Sequence, residues 1–218
     1  MTSPKPPQDK ENTSRPAPKS RLRTTIFILQ ITFVALLLAG WLFSSPLRQS
    51  KSLWVLFFYS FPAEFLVAVV PHEPVLLYFS KFYQPLVVAL VAGSSTLLTE
   101  TLNYSTFQYI SDLKAFDKVY QHKWVKKLVN LFNRAPFLAL WIAALTPIPF
   151  YPFRFLVVIA RYPISKYLLS NAAGRLPRFF LLAWFGHAIP IPDTWLAVMF
   201  VVLLLSIYAP IIKKLIKK

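Results

Sequence analysis

Cysteine is absent from this chain of 218 residues. That one absence removes disulfides, thiolate metal sites and thiol nucleophiles, and it leaves the redox compartment undetermined. Acidic side chains are also scarce, eight in all and mostly scattered, which leaves little from which to build an acidic metal cluster. The three histidines, His72, His122 and His187, lie far apart with no H-x-x-x-H spacing, so neither a metal site nor a cofactor is expected. No G-x-S-x-G nucleophile or H-E-x-x-H zinc pair occurs, and the chain is not expected to be an enzyme. Glycine is rare as well, with only four residues.

Apolar residues are abundant. Hydrophobic side chains make up 56% of the chain and charged ones only 15%, too little polar surface for an ordinary globule, so a polytopic membrane protein is the default. A net charge of +16 would in a soluble domain suggest nucleic acid, but long apolar runs separate the basic clusters. No nucleic-acid face is expected, and the charge reads as topology.

Residues 1–24 are rich in Pro, Lys, Ser and Thr and read as a disordered basic cytoplasmic tail. The remainder, 25–218, reads as a single transmembrane domain. Its first run, "IFILQITFVALLLAGWLF" (26–43), is long enough to cross the ~30 Å hydrocarbon core. Further crossing helices are expected at about 82–110, 166–189 and 194–212. The segment 111–134 sets five lysines and an arginine among apolar residues at helical spacing, the pattern of an amphipathic helix on a membrane surface. Lys and Arg accumulate in the tail, in this helix and at the C-terminus, which places all three in the cytoplasm.

Two apolar stretches are interrupted. In 53–74 Pro62 and Glu64 fall mid-run; in 137–161 the sequence "TPIPFYPFR" brings Pro147, Pro149, Pro152 and Arg154 together. Broken helices at membrane depth are tolerated only where protein or water covers the freed backbone groups. Each interrupted stretch is followed by a crossing helix, and the two units run in opposite senses, as in an inverted repeat. The expected fold is therefore all-α, with about four full transmembrane helices and two opposed re-entrant hairpins whose tips carry Pro62 and Pro147, Pro149 and Pro152.

Ionisable groups inside apolar segments cost about 2.5–3.5 kcal/mol each at a helix centre and face a partner or a wet cavity. Here they are Glu64, Glu100 and Arg154. One reading is a structural ion network; the other is a polar cavity that takes a charged head group and protons, with Glu64 brought toward Arg154 from the opposite side. The stripe Ser95, Thr96, Thr99, Glu100 and Asn103 either lines that pathway or joins two helices. Arg161, Arg175 and Arg178, near a membrane boundary, either snorkel to lipid phosphates or supply secondary phosphate contacts.

The stretch from "ALTPIPFYPFRF" through "GRLPRFF" (Gly174, Arg175, Arg178, Phe179, Phe180), with "YSFPAEF" earlier, resembles the DedA superfamily, also called VTT or SNARE-associated proteins, and is most similar to its small YqaA-like branch. The resemblance covers about residues 53–190. It implies a bacterial inner-membrane fold with two opposed re-entrant hairpins, a place in membrane homeostasis, and flipping or scrambling of lipids. The main DedA branch carries R-F-x-P-x-x-R in the second hairpin, whereas here Thr146 and Pro152 occupy the arginine positions and Arg154 stands two residues on. The expected partners are anionic or phosphate-bearing lipids and protons. The competing expectation is a structural or assembly protein that binds partner proteins and anionic lipid.

Overall fold

The structure, a computed structural model, describes residues 21–66, 69–111, 123–146, 150–189 and 191–216. Every regular element among them is helical: α1 (Arg21–Phe43), α2 (Ser45–Gln49), α3 (Leu53–Glu64), α4 (Glu73–Ser80), α5 (Pro85–Ser111), α6 (Lys123–Arg134), α7 (Pro136–Leu145), α8 (Tyr151–Ile159), α9 (Ile164–Ala188) and α10 (Asp193–Ile216). Prolines punctuate this order. Pro136 and Pro152 sit in the first turns of α7 and α8, where a missing N–H costs nothing and the fixed φ suits a helix start. Pro62 lies in α3, which ends two residues later at Glu64.

Among the described residues two helices, α1 and α5, are long and apolar enough to cross a bilayer, and α6 with α7, bent by 95° where they meet, passes the same test as a pair. The expectation of about four full crossings exceeds that number. Helix α9 has the length, 25 residues, but its polar residues Ser170, Asn171 and Arg175 are buried within the protein. They depress its apolarity without facing lipid. Helix α10 is 24 residues long, and among the described residues its apolar stretch runs over Asp193–Ala209.

Helices α5 and α9 form the centre and run antiparallel. Gly93 abuts Leu176, Glu100 meets Tyr167 and Arg175, and the Tyr104 hydroxyl donates to the carbonyl of Tyr162 at 3.2 Å. Around this pair the two broken stretches pack reciprocally. Helix α3 lies on α5 and α7 on α9, while α4 crosses to α9 and α8 crosses to α5. Both breaks also bring their ends together: Lys51, before α3, sits 4.3 Å from the ring of Phe82, after α4. Phe132, before α7, meets Tyr162, after α8, at 6.1 Å between ring centres.

Close approach of α7 to α9 depends on Gly174. A β-carbon there would lie 2.6 Å from Ala144 Cβ and 2.7 Å from the Trp141 carbonyl, so only glycine fits. Helix α1 is attached more lightly, through a cluster of Val34, Phe61 and Phe65 and through Gln30. The Gln30 amide donates to Ser105 and accepts from Thr106, both at 2.8 Å, which satisfies a polar group that lipid could not.

The hairpin prolines divide as follows. Pro62 and Pro152 lie inside helices flanking the breaks, and Pro147 and Pro149 lie outside the described residues, as do residues 1–20 and the first half of the expected amphipathic helix.

Candidate functional site

Glu100, fully buried at the middle of α5, is the hub of a polar cluster. Its carboxylate accepts from Arg154 Nε at 3.0 Å and Nη2 at 2.6 Å, from the Tyr167 hydroxyl at 2.5 Å, from Arg175 Nη2 at 3.0 Å and from Asn103 Nδ2 at 3.2 Å. Arg175 also pairs with Glu64 through Nη1. One guanidinium thus bridges both glutamates, using the fixed fork geometry that makes arginine suited to oxyanions. The ring of Phe150 lies under both cations, 5.6 Å from Arg154 and 5.0 Å from Arg175, within reach of a cation–π attraction.

The cluster also fixes the backbone where α3 ends. Leu66 has φ of 50°, a left-handed conformation that a side chain with a β-carbon disfavours by roughly 1–2 kcal/mol. Three bonds hold that stretch in place: Leu66 N–H donates to Asn103 Oδ1 at 2.7 Å, its carbonyl accepts from Arg154 Nη1 at 2.9 Å, and the Glu64 carbonyl accepts from Asn103 Nδ2 at 3.0 Å. Arg178 ties the two breaks to each other. It donates to the Thr146 carbonyl at 3.1 Å, just past α7, and to Glu73 at 2.7 Å, at the start of α4.

Three arginines therefore face three glutamates, and the charges cancel. Relative exposure is 0% for Glu100 and Asn103, 6% for Arg154, 7% for Glu64 and 8% for Arg175. Balance is what makes such burial tolerable, because an unpaired ion here would cost several kcal/mol while a hydrogen-bonded pair roughly offsets its own desolvation.

Several expectations need correcting at this point. Glu64 and Arg154 do converge on one buried cluster, but they are joined through Arg175 and Glu100: the ionic partner of Glu64 is Arg175, and that of Arg154 is Glu100. Arg175 is no boundary residue; it lies in the buried centre. Arg161 is exposed and joins none of these bonds. It has φ of 51° and closes α8, with Arg161 N–H donating to Val158 and Tyr162 N–H to Val157 at 3.1 and 2.9 Å, the bond pattern of a left-handed helix stop. Thr99 is buried but spends its hydroxyl on the Ser95 carbonyl of its own helix at 2.9 Å. Ser95 bonds the Phe57 carbonyl at 2.5 Å, a contact that joins α5 to α3.

Tyr167, Phe150 and Glu73 are the members that inspection of single residues passes over. A signal for Tyr167 exists in the sequence: Tyr167, Asn171 and Arg175 recur at four-residue steps, so they share the α9 face that meets the α5 stripe. Asn171 is fully buried, and among the described residues neither atom of its amide has a hydrogen-bond partner, nor does the Thr96 hydroxyl.

A family model described as the VTT domain matches residues 70–188, more than half of the chain. The matched segment contains Glu73, Glu100, Arg154, Arg175 and Arg178 and begins after Glu64. No curated protein and no solved structure matches the chain.

Proposed function

The chain belongs to the VTT-domain family, the DedA or SNARE-associated membrane proteins, and from that footing we propose that it moves a phosphate-bearing lipid head group across the bilayer. Its two broken stretches act as re-entrant hairpins that meet at the buried cluster. The meeting of each hairpin's two ends, Lys51 beside Phe82 and Phe132 beside Tyr162, supports that reading, because a stretch that starts and finishes on one side need not cross. With α1, α5, α9 and α10 as the spanning helices, the basic segments then fall on the cytoplasmic side of an inner membrane.

The observation that carries the proposal is the neutral network of Glu64, Arg175, Glu100 and Arg154. Arg154 and Arg175 are the phosphate-holding groups, Glu64 and Glu100 the proton-carrying ones, and Asn103 positions both. In the closed arrangement the guanidinium donors are engaged by carboxylates, so a phosphodiester must displace a carboxylate to bind. Adding one negative charge to a buried neutral cluster is costly. Protonation of a displaced glutamate restores the balance, and this couples head-group entry to proton uptake. Arg178, which holds Thr146 to Glu73, keeps the hairpins together until that exchange occurs.

Reorientation of a fluorescent phospholipid in proteoliposomes tests this reading. Glu64→Gln and Arg154→Ala, checked for folding, should each slow movement at least tenfold, an effect of about 1.4 kcal/mol. Unchanged rates would remove these residues from the pathway.

A second reading, a structural or assembly protein, is favoured by the degree to which the network is already satisfied. It predicts stable co-purification of a partner protein and no lipid movement by the isolated chain.

A further inference from the structure

Two crevices flank the C-terminal end of α1, away from the charge cluster. The larger, about 480 Å³, lies between α1, α4 and α10, with Phe79 and Leu196 among its walls. The smaller, about 210 Å³, lies between α1 and α3. Gly40 lines it, and a β-carbon there would meet no atom within 4 Å. Trp41 and Val55 line both spaces, so they adjoin across one wall. Both reach α2, the smaller at Leu47 and the larger at Arg48. Two apolar spaces that diverge from one polar point have the outline of a two-chain amphiphile, and together they fall in the volume range of ordinary ligand sites.

The polar point has a definite charge. Asp193, at the edge of the larger crevice, is held by Lys81 at 2.5 Å, which makes that pair neutral. Arg48 donates through Nη1 to the carbonyls of Trp41 and Leu42, the former at 3.3 Å, at the end of α1. Its remaining donors and its charge have no protein partner among the described residues. An unmatched guanidinium at the mouth of apolar space selects an oxyanion attached to hydrocarbon. A zwitterionic head group would bring an ammonium, and Asp193, the carboxylate among the lining residues, is already engaged by Lys81.

We propose that this region binds one diacyl phospholipid of net negative charge, its phosphodiester on Arg48 and one acyl chain in each crevice. The lipid fastens α1, which has few buried residues of its own, to α3, α4 and α10. The site shares no residue with the Glu100 cluster, so it stands or falls separately from lipid movement.

Native mass spectrometry of the delipidated full chain, titrated with dioleoyl phosphatidylglycerol, phosphatidylethanolamine and phosphatidylcholine, tests the assignment. The first phosphatidylglycerol should be retained about tenfold more strongly than either other lipid, as one charge-assisted contact allows. Arg48→Gln should bring the three lipids to parity, and Arg48→Lys should keep part of the preference. Gly40→Leu, which fills the smaller crevice, should weaken all three alike. Millimolar inorganic phosphate should leave the bound lipid in place. Equal retention by the unaltered chain, a preference that survives Arg48→Gln, or displacement by inorganic phosphate would each overturn the assignment. Thermal unfolding of each variant confirms that a loss reflects the site and not the fold.

Discussion

Glu64, in the last turn of α3, is ion-paired with Arg175 in the middle of α9, 111 residues further along the chain. The pair joins the first broken stretch to the helix that follows the second. Since Arg175 also holds Glu100 at 3.0 Å, a change at either glutamate is felt by the other through one guanidinium. The cluster is better treated as one coupled unit than as a set of separate contacts.

Removing the hub should therefore cost more than any single bond. Glu100→Ala takes from Arg154 its ionic partner and leaves Arg175 with Glu64 alone, and breaking a buried pair from one side costs about 3–5 kcal/mol. The double variant Glu100→Gln/Arg154→Gln removes one charge of each sign and should lose clearly less than the two singles summed. Thermal unfolding in detergent gives the cycle; strict additivity would argue against a shared network.

Part of this cluster was legible in the sequence, and the reason is cost. Charges in apolar segments are expensive enough that Glu64, Glu100 and Arg154 announce themselves, and the α5 stripe places Asn103 beside Glu100 by helical spacing alone. The all-helical class and the breaks near Pro62 and ahead of Pro152 follow from the same local rules. Pairing was not legible, because which arginine meets which glutamate depends on how α9 is set against α5. Arg175 has the composition of an interfacial residue, and only its turn toward α5 makes it central. Arg161 shows the converse: its seven-residue spacing from Arg154 suggests a shared face, but α8 ends at Ile159 and the face is lost. Two helices, or three with the bent pair, meet the length and apolarity of a crossing among the described residues, and α9 falls outside that number because its polar residues face the interior, which hydropathy cannot separate from exposure.

Asn103 supports a strained backbone, and its removal should show this. Asn103→Ala deprives Leu66 N–H of its acceptor and the Glu64 carbonyl of its donor. Each buried group left without a partner costs about 1–3 kcal/mol. Because the Leu66 conformation then has less to hold it, amide hydrogen exchange around residues 64–66 should accelerate more than exchange in α5. Uniform acceleration across both would mean that Asn103 is ordinary packing.

Gly174 tests the close contact of α7 with α9. Even alanine would press on Ala144 and the Trp141 carbonyl, one of them backbone, so the helices must separate. Overpacking of this kind costs about 1–3 kcal/mol, and Gly174→Val should exceed Gly174→Ala. Gly40→Ala, where space is open, serves as the control and should stay within about 0.5 kcal/mol. Comparable losses at both positions would indicate a general intolerance of glycine replacement.

Topology can be read with single cysteines, since the chain has none of its own. Antiparallel α5 and α9 put the end of α5 and the start of α9 at one level, as the bond from Tyr104 to Tyr162 requires. The Lys81–Asp193 pair puts the start of α5 and the end of α9 at the other, and Lys51 joins that level through Phe82. Cysteines at Ser111 and Ser165 should therefore react with a membrane-impermeant maleimide from one side, and those at Ser50 and Asp193 from the opposite side. Such a result requires residues 111–165 to leave and return by the same face, which one straight crossing cannot do. Labelling of Ser111 and Ser165 from different sides would show that the second broken stretch crosses, and the paired-hairpin arrangement proposed for lipid movement would then be wrong.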